Sequence, residues 1–135
     1  MTLADLNRLR VLQGEIRRLD EKAQELRARA ERLTSMLSGM PAGAREHDQL
    51  AGIVADLLDN ERRAAAQALE LTRACEEAEL WLAALPEQQR RVMRLYYVDG
   101  IRTWKEVAEK TPYHYIHCLR IKKAALRKLE NASQC

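Results

Sequence analysis

The chain has 135 residues, 47% hydrophobic, 32% charged and 4% aromatic, with five Gly, three Pro and no Phe. A barrel or sandwich would need more turn punctuation and larger core side chains than this, so an all-α fold is expected. The net charge of +3 hides a split at Pro86: residues 1–85 hold 12 Lys and Arg against 15 Asp and Glu, whereas residues 86–135 hold 11 against 5.

The longest apolar run, Leu80 to Leu85, is six residues, far below the roughly 20 that cross a bilayer, so no membrane contact is expected. Asp5, Arg8 and Arg10 interrupt the N-terminal leucines where a secretory signal would carry an apolar core, and the expectation is a cytoplasmic protein. Cys75, Cys118 and Cys135 are odd in number, widely spaced and form no CxxC pair. That pattern argues against a disulfide framework or a zinc ribbon and for reduced thiols.

Leu9, Leu12, Ile16, Leu19, Ala23, Leu26, Ala30, Leu33 and Leu37 recur at alternating spacings of three and four, the stripe of a helix that pairs with another helix. This predicts a first helix from about Thr2 to Leu37. Ser38-Gly39-Met40-Pro41-Ala42-Gly43 should end it, because Gly accepts the left-handed conformation and Pro cannot continue the ladder.

A second long helix is expected from about Arg45–Asp48 to Leu85. Its seam is read as Leu50, Val54, Leu57, Ala64, Ala68, Leu71, Cys75, Ala78, Leu82 and Leu85, with Glu61 as the one charged break. Two long helices on a short connection pair antiparallel, so residues 1–85 read as a coiled-coil-like hairpin. Helix two carries further apolar residues at Ile53, Leu58, Leu69, Leu80 and Trp81. These would meet either the C-terminal domain or a second copy of the chain, and a homo-oligomer through the hairpin is the favoured expectation.

Pro86 opens residues 86–135, the second expected domain, with a helix to about Val98 that buries Val92, Leu95 and Tyr96. Asp99-Gly100 closes it. Thr103 lies three residues before Glu106, the reciprocal capping pattern, so a short helix is predicted from Trp104 to about Lys110. Thr111-Pro112 breaks it. A final helix from Tyr113 to Leu129 turns Cys118, Ile121, Ala125, Leu126 and Leu129 inward. A short helix, a tight turn and a longer basic helix follow helix-turn-helix grammar, and the basic surplus suits a polyanionic partner.

Leu85-Pro86, Arg94-Leu95-Tyr96-Tyr97, Gly100, Thr103-Trp104, Glu106-Val107-Ala108, Ala125-Leu126 and Lys128-Leu129 stand in an order that resembles the fourth-region helix-turn-helix of bacterial sigma factors. With its hairpin and Ser38-Gly39-Met40-Pro41 turn, the chain is similar to phage-encoded relatives of that module over nearly its full length. The resemblance implies a regulator of phage late or packaging genes acting on promoter DNA in a bacterial host, with RNA polymerase as a second partner to consider.

Carried over by position, it also implies a set of double-stranded-DNA contacts. Thr103, Trp104 and Lys105 would open the supporting helix near phosphates. His114, Tyr115, His117 and Arg120 would form the groove-facing start of the recognition helix. Arg120 would take guanine O6 and N7, and Lys122, Lys123 and Lys128 would hold phosphates. Thr111-Pro112 departs from the large apolar residue and Gly usual in the turn. Ile116 and Leu119 replace polar or aromatic groups, and they either read thymine methyls or bury against the bundle.

Sharper chemistry finds little footing. His114, His117 and Cys118 share spacing that could line one helical face, but four ligands are needed and His47 lies far along the chain, so no metal is expected. The carboxylate pairs lie on solvated helix and no phosphate loop or nucleophile elbow is present, so neither a cofactor nor an enzyme is expected. The rival reading is a coiled-coil adaptor or inhibitor that binds RNA polymerase or another host protein.

Overall fold

The computed structural model describes residues 1–39 and 43–133, and these are all-helical with no strand. The elements are α1 (Leu3–Leu37), α2 (Ala44–Leu82), α3 (Glu87–Met93), a π-helical turn (Arg94–Val98), α4 (Trp104–Glu109) and α5 (Tyr115–Ser133). Among the described residues no helix is long and apolar enough to cross a membrane. Of the expected turn at 38–43, positions 40–42 lie outside the described residues.

The start of α1 is fixed by its third residue. The Thr2 main-chain N–H donates to Asp5 Oδ2 at 2.6 Å and the Thr2 hydroxyl donates to the same oxygen at 3.1 Å. These two bonds, the main-chain one first, hold the Asp5 carboxyl below the usual carboxylate range.

The chain divides into two compact units elsewhere than at residues 85 and 86: one joins Met1–Gln13 to Glu70–Cys135, the other is Gly14–Leu69. The physical reason is a shared core. Leu6 and Leu9 of α1 and Ala78 and Leu82 of α2 bury with Leu85, Met93, Tyr97, Ala125 and Leu129. Each leucine fully removed from water there contributes roughly 1.5–3 kcal/mol. Val92, Val107 and Ile121 form a second, smaller cluster that ties α3 and α4 to α5.

In the Gly14–Leu69 unit, α1 presents its expected stripe: Ala23, Leu26 and Leu33 are buried and Ile16, Leu19, Ala30 and Leu37 half-buried. The α2 stripe keeps its expected Leu50, Leu57 and Ala64, but at three positions the inward residue is one earlier than expected. Val54, Glu61 and Ala68 are exposed, and Ile53, Leu57, Asn60, Ala64 and Gln67 face inward. Asn60, only 5% exposed, explains the slip, because its Nδ2 donates to the Leu19 carbonyl at 2.8 Å and so satisfies a polar group inside the seam. Glu61 stays in water and pairs with Arg27 at 3.6 Å. A single hydrogen-bonded Asn in an apolar seam fixes register at some expense of stability.

The α2 helix ends at Leu82, three residues before the expected break, and Leu85 N–H returns to the Leu82 carbonyl at 3.0 Å. Pro86 caps α3 in extended geometry (φ −55°, ψ 152°) one position before the helix, not within its first turn.

The expected helix to Val98 holds only to Met93. The Asp99 N–H reaches back five residues to the Arg94 carbonyl at 2.9 Å, and this wider turn brings Tyr97, not Tyr96, into the core. Gly100 then takes φ +76°, and Ile101 N–H closes the turn on the Leu95 carbonyl at 3.1 Å.

Candidate nucleic-acid interface

The widened turn leaves carbonyls without helical partners, and α1 supplies the donors. Gln13 Nε2 donates to the Tyr97 and Val98 carbonyls at 2.8 and 3.3 Å. Arg10 Nη1 donates to the Tyr96 carbonyl at 3.0 Å and to Ile101 at 2.8 Å, and Nη2 donates to Arg102 at 3.0 Å. The same guanidinium lies over the Tyr96 ring, 4.0 Å from its centroid. Tyr96 stacks on Trp104 at 4.2 Å and 22°, and the Lys122 ammonium caps the far end, 5.0 Å from the Trp104 ring. A column of cation, two rings and cation thus joins α1, the π turn, α4 and α5.

Thr103 is in extended geometry and its Oγ1 accepts from Glu106 N–H at 3.2 Å, the hydroxyl half of the expected cap. The turn after α4 is built without a left-handed residue. Thr111 Oγ1 donates to the Ala108 carbonyl at 3.1 Å and accepts from Tyr113 N–H at 3.3 Å, so the side chain does what glycine freedom would otherwise do. With its proton so placed, Thr111 is left as acceptor for the buried Cys118 thiol at 3.6 Å. α5 begins at Tyr115, two residues later than expected, because Pro112 and the Thr111 turn hold the chain out of the helix until the His114 carbonyl accepts Cys118 N–H at 2.9 Å.

Three sides of α5 follow. Cys118, Ile121, Ala125 and Leu129 are buried. His117 is exposed but turned toward neighbours: its Nε2 lies 3.3 Å from Gln88 Nε2 and its ring meets Tyr113 edge-on at 5.5 Å. Tyr115 and Lys122 are half-buried, with Lys122 committed to the Trp104 column. The opposite, solvent-facing side carries Ile116, Arg120, Lys123 and Arg127, all exposed and spaced four, three and four apart.

Of the sequence-derived residues, the helix therefore brings Arg120 and Lys123 onto one open face. Thr103, Lys105 and His114 are exposed at the ends of α4 and α5, and Trp104 is half-buried inside the column. Arg127, outside the sequence-derived contacts, lies on the same open face four residues after Lys123. Arg10 and Gln13 were missed; their partners are main-chain carbonyls more than eighty residues away, and no local pattern points to them.

Cys75 is half-buried in this same unit, and burial, reinforced by the carboxylates of Glu79 and Asp99, pushes its thiol pKa up. Burial likewise raises the Tyr97 phenol. Glu79 also forms an ion pair with Arg94. Among the described residues no group of three or more His, Cys, Asp or Glu is arranged to hold a metal ion. His114 and His117 are exposed whereas Cys118 is buried, so the three do not converge. No family model, no curated protein and no solved structure matches the chain.

Proposed function

We propose that this protein binds double-stranded DNA sequence-specifically as a helix-turn-helix transcription regulator similar to the fourth region of bacterial sigma factors, encoded by a phage and acting in the cytoplasm of its bacterial host. The observation that carries the reading is the open α5 face of Arg120, Lys123 and Arg127, set opposite a buried aliphatic side. A rod-like helix with one cationic outer face fits the major groove, and α4, anchored through Trp104, serves as its support.

In this reading Arg120 takes a guanine edge with two hydrogen bonds, Lys123 and Arg127 hold phosphates, and Thr103 and Lys105 lie near the backbone. Trp104 acts through the column and not by touching DNA, and Lys122 shares that positioning role. In the Gly14–Leu69 unit, Val54, Leu58 and Leu69 stay 45%, 51% and 54% exposed, which supports self-association through α2.

The test is the salt dependence of binding to a labelled random-sequence duplex. Each phosphate-holding cation contributes about −0.9 to the slope of log affinity against log salt, so Lys123→Ala and Arg127→Ala should each flatten it by about that much. Absence of duplex binding at low salt overturns the reading and leaves the adaptor on RNA polymerase or another host protein as the alternative.

A further inference from the structure

We infer that Ile116 is a thymine reader: its side chain takes the C5-methyl of a thymine in the major groove, about two base steps from the guanine taken by Arg120. The inference rests on the DNA-binding reading above and adds to it which base is read and by what contact.

Ile116 is 55% exposed. Among the described residues it belongs to neither apolar core cluster. Leu119, the other aliphatic residue near the start of α5, is half-buried and lies off the open face. The neighbours of Ile116 along that face are Arg120, Lys123 and Arg127.

A lone aliphatic group in a row of cations is too small to seat a protein partner, whose interface would need a contiguous apolar patch of hundreds of Å². Docked on a duplex, the same group is removed from water wherever the groove presents a methyl, and among the four bases only thymine does. β-Branching leaves Ile with few rotamers, so little side-chain freedom is lost on contact. Four residues of helix advance about 6 Å, close to two base-pair rises of about 3.4 Å each, which sets the Ile116 and Arg120 contacts about two steps apart.

The experiment is a selection with the full chain from two random-sequence duplex pools, one synthesised with dT and one with dU in its place, followed by affinity measurement on the enriched duplexes. Uracil pairs as thymine does and lacks only the methyl. The expected motif contains a G and a T about two steps apart, the dU version binds about fourfold more weakly at that T, and the G preference survives in both pools.

Ile116→Ala should bind the dT and dU duplexes equally and keep the G preference, whereas Arg120→Ala should lose the G preference and keep the difference between T and U. Ile116→Val, which retains a branched methyl, should preserve part of that difference and covers the case in which the Ala variant binds too weakly to compare. Selection of a motif with no difference between T and U, or one that Ile116→Ala leaves intact, overturns the inference while the DNA-binding reading stands. No enrichment from either pool overturns that reading and this inference with it.

Discussion

The Arg10 guanidinium satisfies three carbonyls stranded at and beyond the π turn while its flat face covers Tyr96. A charged donor to a buried carbonyl is worth more than a neutral one, and removing it leaves the acceptors unpaired. Arg10→Ala should therefore lower stability by about 2–4 kcal/mol in urea denaturation and shift the Trp104 fluorescence as the column loosens. Arg10→Lys should recover little, because an ammonium cannot span the fork. Cys75 gives a second residue-scale expectation. A thiol whose pKa is raised in the folded chain adds stability below its unfolded value and loses it as pH rises through the folded one. Alkylation of Cys75, followed by peptide mapping, should need a higher pH than alkylation of a free thiol; a pH dependence like that of a free thiol would contradict the environment described.

At the scale of elements, two short-range devices set the start of α4. Gly100→Ala places a side chain at φ +76° and 3.2 Å from the Gln13 side chain, so it should cost about 1–2 kcal/mol in thermal or urea unfolding. Thr103→Ala should cost about 1 kcal/mol through loss of the cap, and Thr103→Ser should restore it. These signals were legible in the sequence because Gly100, Thr103 and Pro112 act within a few residues of themselves. The α1 stripe was legible for the same reason. Most of the α2 seam is legible too, Leu50, Leu57 and Ala64 included, but around position 60 it shifts by one residue, because neither Asn60 nor Glu61 is apolar and only the bond from Asn60 to the Leu19 carbonyl decides between them. The π turn left no trace, since a bond spanning five residues changes no composition. In the site, the charges of α5 could be read directly, whereas the commitment of Trp104 and Lys122 to a column depends on a stack with Tyr96 across the loop and on Arg10, distant in the chain.

For the whole molecule, the division of charge and of exposed apolar surface suggests a division of labour. In the proposed function the basic residues of 86–135 would steer the chain to a polyanion over about a Debye length, 8 Å at physiological salt. On the proposed self-association through Leu58 and Leu69 of α2, Leu58→Glu combined with Leu69→Glu should shift sedimentation equilibrium to the monomer without loss of helical circular dichroism; a chain that is already a monomer, or an unchanged mass, would contradict it. The central claim is that the open face of α5 meets duplex DNA. Its most direct test maps backbone amide shifts on addition of a short duplex enriched from a random pool. The account predicts changes concentrated at residues 103–105 and 114–127 and little change at 14–69. Changes confined to 14–69, or none at any duplex concentration, would contradict it.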